Sequence, residues 1–180
     1  MLKNKHSVLS FSGGMDSTSL LLNLLNENHS VHAISFKYGQ KHEIEIDFAI
    51  KNITYLQENG FQKRIIHKIF DISELLLNFN SSLLDRKQEI PEGYYEAENM
   101  KSTFVPNRNS IFFSLIYGYA ISISKNSSNK VLISIGAHSG DHMIYPDCRL
   151  DFFKQLFKAF QMGNWDSDKI ELYLPYIDMN

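Results

Sequence analysis

The sequence predicts an α/β fold built on a mostly parallel sheet of about five strands, covered by helices on both faces. Three observations predict it. Short apolar runs alternate along the chain with longer helix-like segments, the pattern of repeated strand-helix-strand units. Each run is apolar throughout rather than at every second residue, as strands buried on both faces are. The chain has 180 residues, 43% of them apolar and 21% charged, enough to bury one real core.

The first strand is "VLSFS", Val8 to Ser12, which rises directly into Gly13-Gly14. The leucine-rich "SLLLNLLNE", Ser19 to Glu27, has helical spacing, with Asp16 or Ser17 placed to cap its first turn. "VHAISF", Val31 to Phe36, is the second strand and ends in the turn "KYGQ". A charged amphipathic helix follows over about His42 to Glu58, then a third strand, "KRIIHKIF", Lys63 to Phe70. Residues 71–104 break this rhythm. A short helix, "ISELLL", gives way to a long polar stretch, so a loop insertion is expected here, of the kind that often serves as a lid.

"NRNSIFFSLIYGYAISIS", Asn107 to Ser124, predicts a buried helix, and "VLISIG", Val131 to Gly136, a fourth strand. After the loop "AHSGDHMIYPDCR" a helix is expected over about Asp151 to Met162, with Phe152, Phe153, Phe157 and Phe160 at core spacing. "IELYLPYID" then supplies the fifth strand and its exit. No repeat or linker divides the chain, so residues 1–180 are expected to form a single domain.

Composition narrows the function classes. A net charge of −2 leaves no polyanion-binding footprint on the chain as a whole. The single cysteine, Cys148, rules out an internal disulfide framework and fits a reducing compartment. The longest nearly apolar stretch, Ile111 to Ile123, is too short to span a bilayer, and the first residues contain no secretory h-region. A cytoplasmic protein is expected.

The chemistry centres on "SFSGGMDS", Ser10 to Ser17. A strand, a glycine-rich turn and a helix form the general plan for holding phosphate on free N–H groups at a helix N-terminus. Gly13 and Gly14 allow close backbone approach, and Ser10, Ser12 and Ser17 add neutral donors. No lysine follows the glycines, so this is neither a Walker-A loop nor a dinucleotide fingerprint. Neutral donors suit a whole pyrophosphate held as a leaving group, with Mg²⁺ supplying positive charge. Asp16 would repel phosphate unless it caps the helix or lies near that metal. The plain alternative is a tight strand-to-helix turn with a good cap.

"SGGMDS" resembles the SGGxDS PP-loop of the N-type ATP pyrophosphatases. Further segments resemble the 7-cyano-7-deazaguanine synthase family: "SFKYGQKHEIEI" from Ser35, "STFVPNRNSIF" from Ser102, "YPDCRLDF" from Tyr145, and "LPYID" from Leu174. The resemblance runs from Val8 to Asp178. It implies an adenine-nucleotide α-hydrolase-like (Rossmann-like) three-layer fold. It also implies that Ser12, Gly13, Gly14, Asp16 and Ser17, flanked by Ser10, hold the ATP phosphates and Mg²⁺.

Tyr38 and Gln40 lie at the carboxyl end of the second strand, where open α/β sheets bind ligands. They are expected to touch nucleotide or substrate, against the alternative of a plain turn at Gly39. Arg108 begins a helix whose dipole opposes its charge, so a structural role is poor and a bidentate contact to phosphate or carboxylate is expected. Asn107 stands where the family has glycine, and asparagine best tolerates that left-handed backbone.

Asp147 and Arg149 are read as groups that recognise the base or orient a carboxylate. Cys148 is read as part of the pocket wall rather than a nucleophile, having no clear histidine or lysine partner. Tyr145 and Asp141 complete the expected substrate contacts; the catalytic set is Asp16, Ser17, Arg108, Asp147 and Arg149. "HSGDH", His138 to His142, is read as a polar loop, and no metal-ligating residues are assigned.

Two departures accompany the resemblance. Ile144 precedes "YPDCR" where the family usually has glycine. The family's C-terminal four-cysteine zinc site is absent from a chain that stops at Asn180 with one cysteine, so a fragment of a longer protein is the favoured expectation.

The resemblance implies ATP-dependent conversion of 7-carboxy-7-deazaguanine and ammonia to 7-cyano-7-deazaguanine through an acyl-adenylate and an amide. Small molecules are the expected partners, with no membrane, no nucleic acid, and a homodimer allowed. The alternatives left open are a paralogue that stops at the amide or attaches the deazaguanine to a macromolecule, a PP-loop tRNA-modifying enzyme, and a nucleotide-binding module without turnover.

Overall fold

A computed structural model describes residues 5–39, 44–76, 104–127, 129–141 and 145–179. Its strands are β1 (Lys5–Ser10), β2 (His29–Lys37), β3 (Ile65–Asp71), β4 (Val131–Ile135) and β5 (Ile170–Leu172). They form one sheet in the order β3-β2-β1-β4-β5, and every pairing is parallel. The helices are α1 (Met15–Asn26), α2 (Ile44–Leu56), the single turn α3 (Ser73–Leu76), α4 (Arg108–Ser124) and α5 (Leu150–Gly163).

Three layers result because strands that are apolar throughout need cover on both faces. One face of the sheet offers Leu9, Val31, Ala33 and Ile65 to the leucines of α1 and to Ala49 and Ile53 of α2. The other offers Val8, Ile34, Val131 and Ile133 to Phe113, Ile116, Tyr117 and Ala120 of α4. Phe153 of α5 is fully buried in that second core, and Phe152, Phe157 and Phe160 pack against it as their spacing predicts.

Strand order reverses between β1 and β4. The chain runs β1 to β2 to β3 in one direction, then returns to place β4 on the other side of β1. Loops leaving adjacent β1 and β4 therefore diverge, and a crevice opens at the carboxyl ends of these two strands. The Gly13-Gly14 loop leaves β1 at this place.

Three expectations are corrected. Helix α1 begins at Met15 with Gly14 as its N-cap and no side-chain cap bond, so neither Asp16 nor Ser17 caps it. The reason is local: Gly13 takes a left-handed φ of 82°, which turns the chain into the helix early. Ser17 Oγ instead donates back to the Gly14 carbonyl at 3.1 Å. The fifth strand ends at Leu172; Tyr173 N–H still donates to Ile133 O, and Pro175 then opens a turn through Asp178. The second helix ends at Leu56, followed by a turn, Gln57–Phe61, in which Gly60 takes φ 102°. Of the expected insertion at 71–104, residues 77–103 lie outside the described residues.

Two buried histidines, His29 and His32, and the half-buried His67 sit in β2 and β3. Burial, with the nearby His6 and Lys68, pushes His32 down to about 4; its Nδ1 lies 3.1 Å from the Tyr119 hydroxyl. Burial also lowers His29, paired with Ser7 Oγ at 2.6 Å, and His67, paired with Ser35 Oγ at 2.8 Å. Each has a folded pKa below its unfolded value, so the unfolded chain binds more protons as pH falls below about 6.5. Stability is therefore complete above that pH and is lost between about 6.5 and 4. From His32 alone the expected loss at pH 5 is about 2 kcal/mol. Urea melts at pH 7.5 and 5.0 check this, with His32→Gln flattening the slope; equal slopes in both proteins would refute it.

Candidate active site

The crevice at the carboxyl ends of β1 and β4 is a cleft of about 270 Å³. Its floor is the start of α1. Thr18 N–H makes the first intrahelical bond, to the Gly14 carbonyl at 3.0 Å. The N–H groups of Met15, Asp16 and Ser17 thus precede the ladder, with no side chain capping the helix. Ser12 Oγ accepts from Gly14 N–H at 3.2 Å and lies 3.1 Å from Ser17 Oγ. Free amides, two hydroxyls and a positive dipole end make an anion cradle.

The cradle exists because two residues lack a side chain. A Cβ on Gly13 would lie 2.6 Å from Ala49 N and 2.7 Å from Ala49 Cα, so α2 presses directly beneath the loop. Asn52 of the same helix donates to the Gly13 carbonyl at 3.1 Å. On the other side a Cβ on Gly136, just past β4, would lie 3.1 Å from Ser17 N and 3.3 Å from Asp16 C. Helix α1 is thereby wedged between α2 and the end of β4.

The opposite wall comes from α4 and the turn Pro146–Cys148. Asn107 has φ 59°, the left-handed conformation expected of it, and its Oδ1 accepts from Ser110 Oγ. That twist delivers Arg108 into the cleft. Arg108 donates to the Tyr38 hydroxyl and, through Nε, to Asn109 Oδ1 at 3.4 Å. Burial opposes its charge, yet Tyr38, Asp147 and Cys148 together hold its pKa above the ordinary guanidinium value. Burial likewise pushes the Tyr38 phenol up, against the pull of Arg108. Arg108 thus remains a cation facing the cradle beside a protonated phenol.

Of the residues singled out from sequence, Ser10, Ser12, Gly14, Asp16, Ser17, Tyr38, Arg108 and Cys148 all line this one cleft. Gly13 underlies it. Asp147 is buried at its back, close enough to act on Arg108, and Tyr145 is half-buried near Tyr38. Arg149 is exposed and does not line the cleft; it forms the N-cap of α5. Asp141 closes the short turn Ser139–Asp141, and Gln40 lies outside the described residues.

Sequence reasoning missed several lining residues. Phe36 and Phe112 stack in parallel, with centroids 4.1 Å apart and planes 9° apart, giving the cleft a flat aromatic side. Asn109, Glu45, Ile46 and Gly136 also line it. His138, read as ordinary loop, has Nε2 3.8 Å from Asp16 Oδ2, while its Nδ1 accepts from Gly140 N–H at 3.1 Å. Phe36, Glu45 and Ile46 lie inside "SFKYGQKHEIEI" and Asn109 and Phe112 inside "STFVPNRNSIF", but that they share one cleft depends on which strands become neighbours. Among the described residues no group of three or more His, Cys, Asp or Glu is placed to hold a metal. No helix there is long and apolar enough to cross a membrane.

A family model described as queuosine biosynthesis protein QueC matches residues 6–180. The chain is 42% identical over 170 residues to the 7-cyano-7-deazaguanine synthase of Pseudoalteromonas atlantica, covering 94% of this chain and 72% of that protein. Against the 7-cyano-7-deazaguanine synthase of Caldicellulosiruptor saccharolyticus the identity is 42% over 173 residues, covering 96% and 71%. Among solved structures, a predicted subunit of tRNA methyltransferase from Methanocaldococcus jannaschii superposes with TM-score 0.55 at 12% identity, covering 98% of this chain and 70% of that one. At that identity the likeness is one of fold alone.

Proposed function

We infer the reaction from one premise: this chain belongs to the queuosine biosynthesis protein QueC family. Its function is the ATP-dependent conversion of 7-carboxy-7-deazaguanine and ammonia to 7-cyano-7-deazaguanine. The observation that carries this reading is a single cleft with an uncapped helix N-terminus on one wall and the Arg108 guanidinium on the other. One wall suits a departing pyrophosphate and the other an anionic acceptor.

The chemistry needs both. A carboxylate is a poor acyl donor because oxide is a bad leaving group. Its oxygen attacks the α-phosphorus of ATP, the bond to the bridging oxygen breaks, and pyrophosphate leaves with an acyl-adenylate formed. Ammonia adds to the acyl carbon and AMP departs, with one proton released, leaving the amide. The amide oxygen attacks the α-phosphorus of a second ATP, releasing a second pyrophosphate and a proton, and loss of AMP and a further proton from the adenylated imidate gives the nitrile. Both carboxylate oxygens leave on AMP.

The residues supply binding and charge. We assign the α1 amides with Ser12 and Ser17 to the pyrophosphate, supported by the amides of Met15, Asp16 and Ser17 preceding the helical ladder. Asp16 is the loop carboxylate that would hold Mg²⁺, a hard cation that takes oxygen ligands; when bound, that ion would supply the positive charge that no lysine provides. Tyr38 and Arg108 face the acceptor carboxylate, Asp147 steadies Arg108 from behind, and Cys148 forms wall. The stacked Phe36 and Phe112 offer an edge of aromatic surface to a planar base. Catalysis is then positioning and charge stabilisation, with no covalent enzyme intermediate.

The same reading takes residues 1–180 as one PP-loop domain in a cytoplasmic protein. A homodimer belongs to it as well, since Met162 and Trp165 at the end of α5 are 81% and 91% exposed; light scattering decides that. The deciding assay incubates protein, ATP, Mg²⁺, 7-carboxy-7-deazaguanine and ammonium, with products read by mass spectrometry. AMP and nitrile in a two-to-one ratio are expected. AMP with amide only would replace the reading by that of an amide-forming paralogue, and no nucleotide binding would end it.

A further inference from the structure

We propose that Asn109 is a positioning residue that locks the acceptor wall of the cleft, orienting Arg108 and the Cys148 thiol together. The inference rests on the reaction just described for its kinetic part and on geometry alone for the rest.

Asn109 is 8% exposed in the first turn of α4. Its amide has one acceptor and one two-proton donor, and both ends are engaged. Oδ1 accepts from Arg108 Nε at 3.4 Å. Nδ2 lies 3.3 Å from both the Asp147 carbonyl and Cys148 Sγ. One side chain therefore joins the start of α4 to the turn Pro146–Cys148, 38 and 39 residues further along the chain.

An amide is suited to this place. A carboxylate could still accept from Arg108 but would meet the Asp147 carbonyl and the thiol sulfur with no proton to offer. An aliphatic side chain would meet neither need and would leave buried polar atoms unsatisfied. Arg108 is also hydrogen-bonded to the Tyr38 hydroxyl. Loosening Asn109 thus frees the guanidinium to rotate and the turn to drift, while the α1 cradle across the cleft is untouched. The acceptor would then be held in the wrong place for part of the time, and water attacking the acyl carbon of the adenylate would return the acid and release AMP without nitrile.

Two variants test this, Asn109→Asp and the near-isosteric Asn109→Leu, compared with wild type. The chain has one cysteine, so alkylation by iodoacetamide reports on Cys148 alone. In folded protein Asn109→Leu is expected to alkylate at least about fivefold faster, because the turn that keeps Cys148 buried loses an anchor. Nitrile kcat is expected to fall about 30-fold with the ATP KM changed less than about twofold, and AMP formed per nitrile to rise above two. A merely structural role would instead lower the melting temperature and ATP affinity together, leaving the AMP-to-nitrile ratio at two, and would overturn the proposal. A wild-type alkylation rate in Asn109→Leu would also overturn it. If wild type forms no nitrile at all, the function reading falls, while the alkylation contrast still decides whether Asn109 locks the wall.

Discussion

Replacing Gly13 by alanine is expected to abolish nitrile formation and to weaken ATP binding by at least about 100-fold, a geometric failure of the kind that small misplacements cause. Two effects add. The residue sits at φ 82°, where a β-carbon is strained. That β-carbon would also lie 2.6 Å from Ala49 N and 2.7 Å from its Cα. These are backbone atoms in the middle of α2, with no rotamer to give way. Either α2 moves back from the sheet or the loop lifts, and lifting it loses the Asn52 bond to the Gly13 carbonyl.

The expected destabilisation is about 3 kcal/mol, combining backbone strain with overpacking. Gly60→Ala is the control. It has φ 102° but nothing within 4 Å of the added carbon, so it suffers strain alone, about 1 kcal/mol, and keeps full activity. Urea melts and calorimetric ATP titration of both variants make the comparison. Equal effects in the two would show that the close approach of α2 is irrelevant.

Replacing Arg108 by lysine is expected to lower kcat about 100- to 1000-fold, the usual scale for removing a preorganised charge donor, with the ATP KM little changed. Lysine keeps the charge but not the planar fork, which here reaches Tyr38, Asn109 and the cleft at once. Arg108→Ala should do the same to turnover and also destabilise the fold by about 3 kcal/mol, because the buried Asp147 loses its nearby cation. Tyr38, then freed of its guanidinium partner, loses the influence that pulls its pKa down. Steady-state kinetics on both variants, with thermal melts alongside, separate the two effects. Wild-type turnover in the lysine variant would remove Arg108 from the reaction.

Much of this molecule was legible in its residues. Largely apolar runs marked the strands, most clearly β2 and β4, and leucines and phenylalanines at helical spacing marked α1 and α5. Errors fell where local signals compete with distant ones. Asp16 and Ser17 are good caps in isolation, but the left-handed Gly13 starts the helix before either can serve. "IELYLPYID" reads as one strand by composition, yet its last ladder bond to β4 is made by Tyr173 N–H, and Pro175, with no N–H, turns the chain away. Beside these, Arg149 shares a motif with the buried Cys148 but is itself exposed at the N-cap of α5.

By itself the sequence determined the α/β class, the glycine-rich strand-to-helix loop without a lysine, and the family, since each is written in contiguous residues. Tertiary structure alone decided that three distant segments share one cleft. The reversal of strand order between β1 and β4 opens it, Gly136 and Ala49 set how closely α1 can be gripped, and Asn109 ties α4 to the Pro146–Cys148 turn. Periodicity and motifs report what a segment prefers locally. Which segments become neighbours is settled by burying both faces of one sheet, a property of the whole chain.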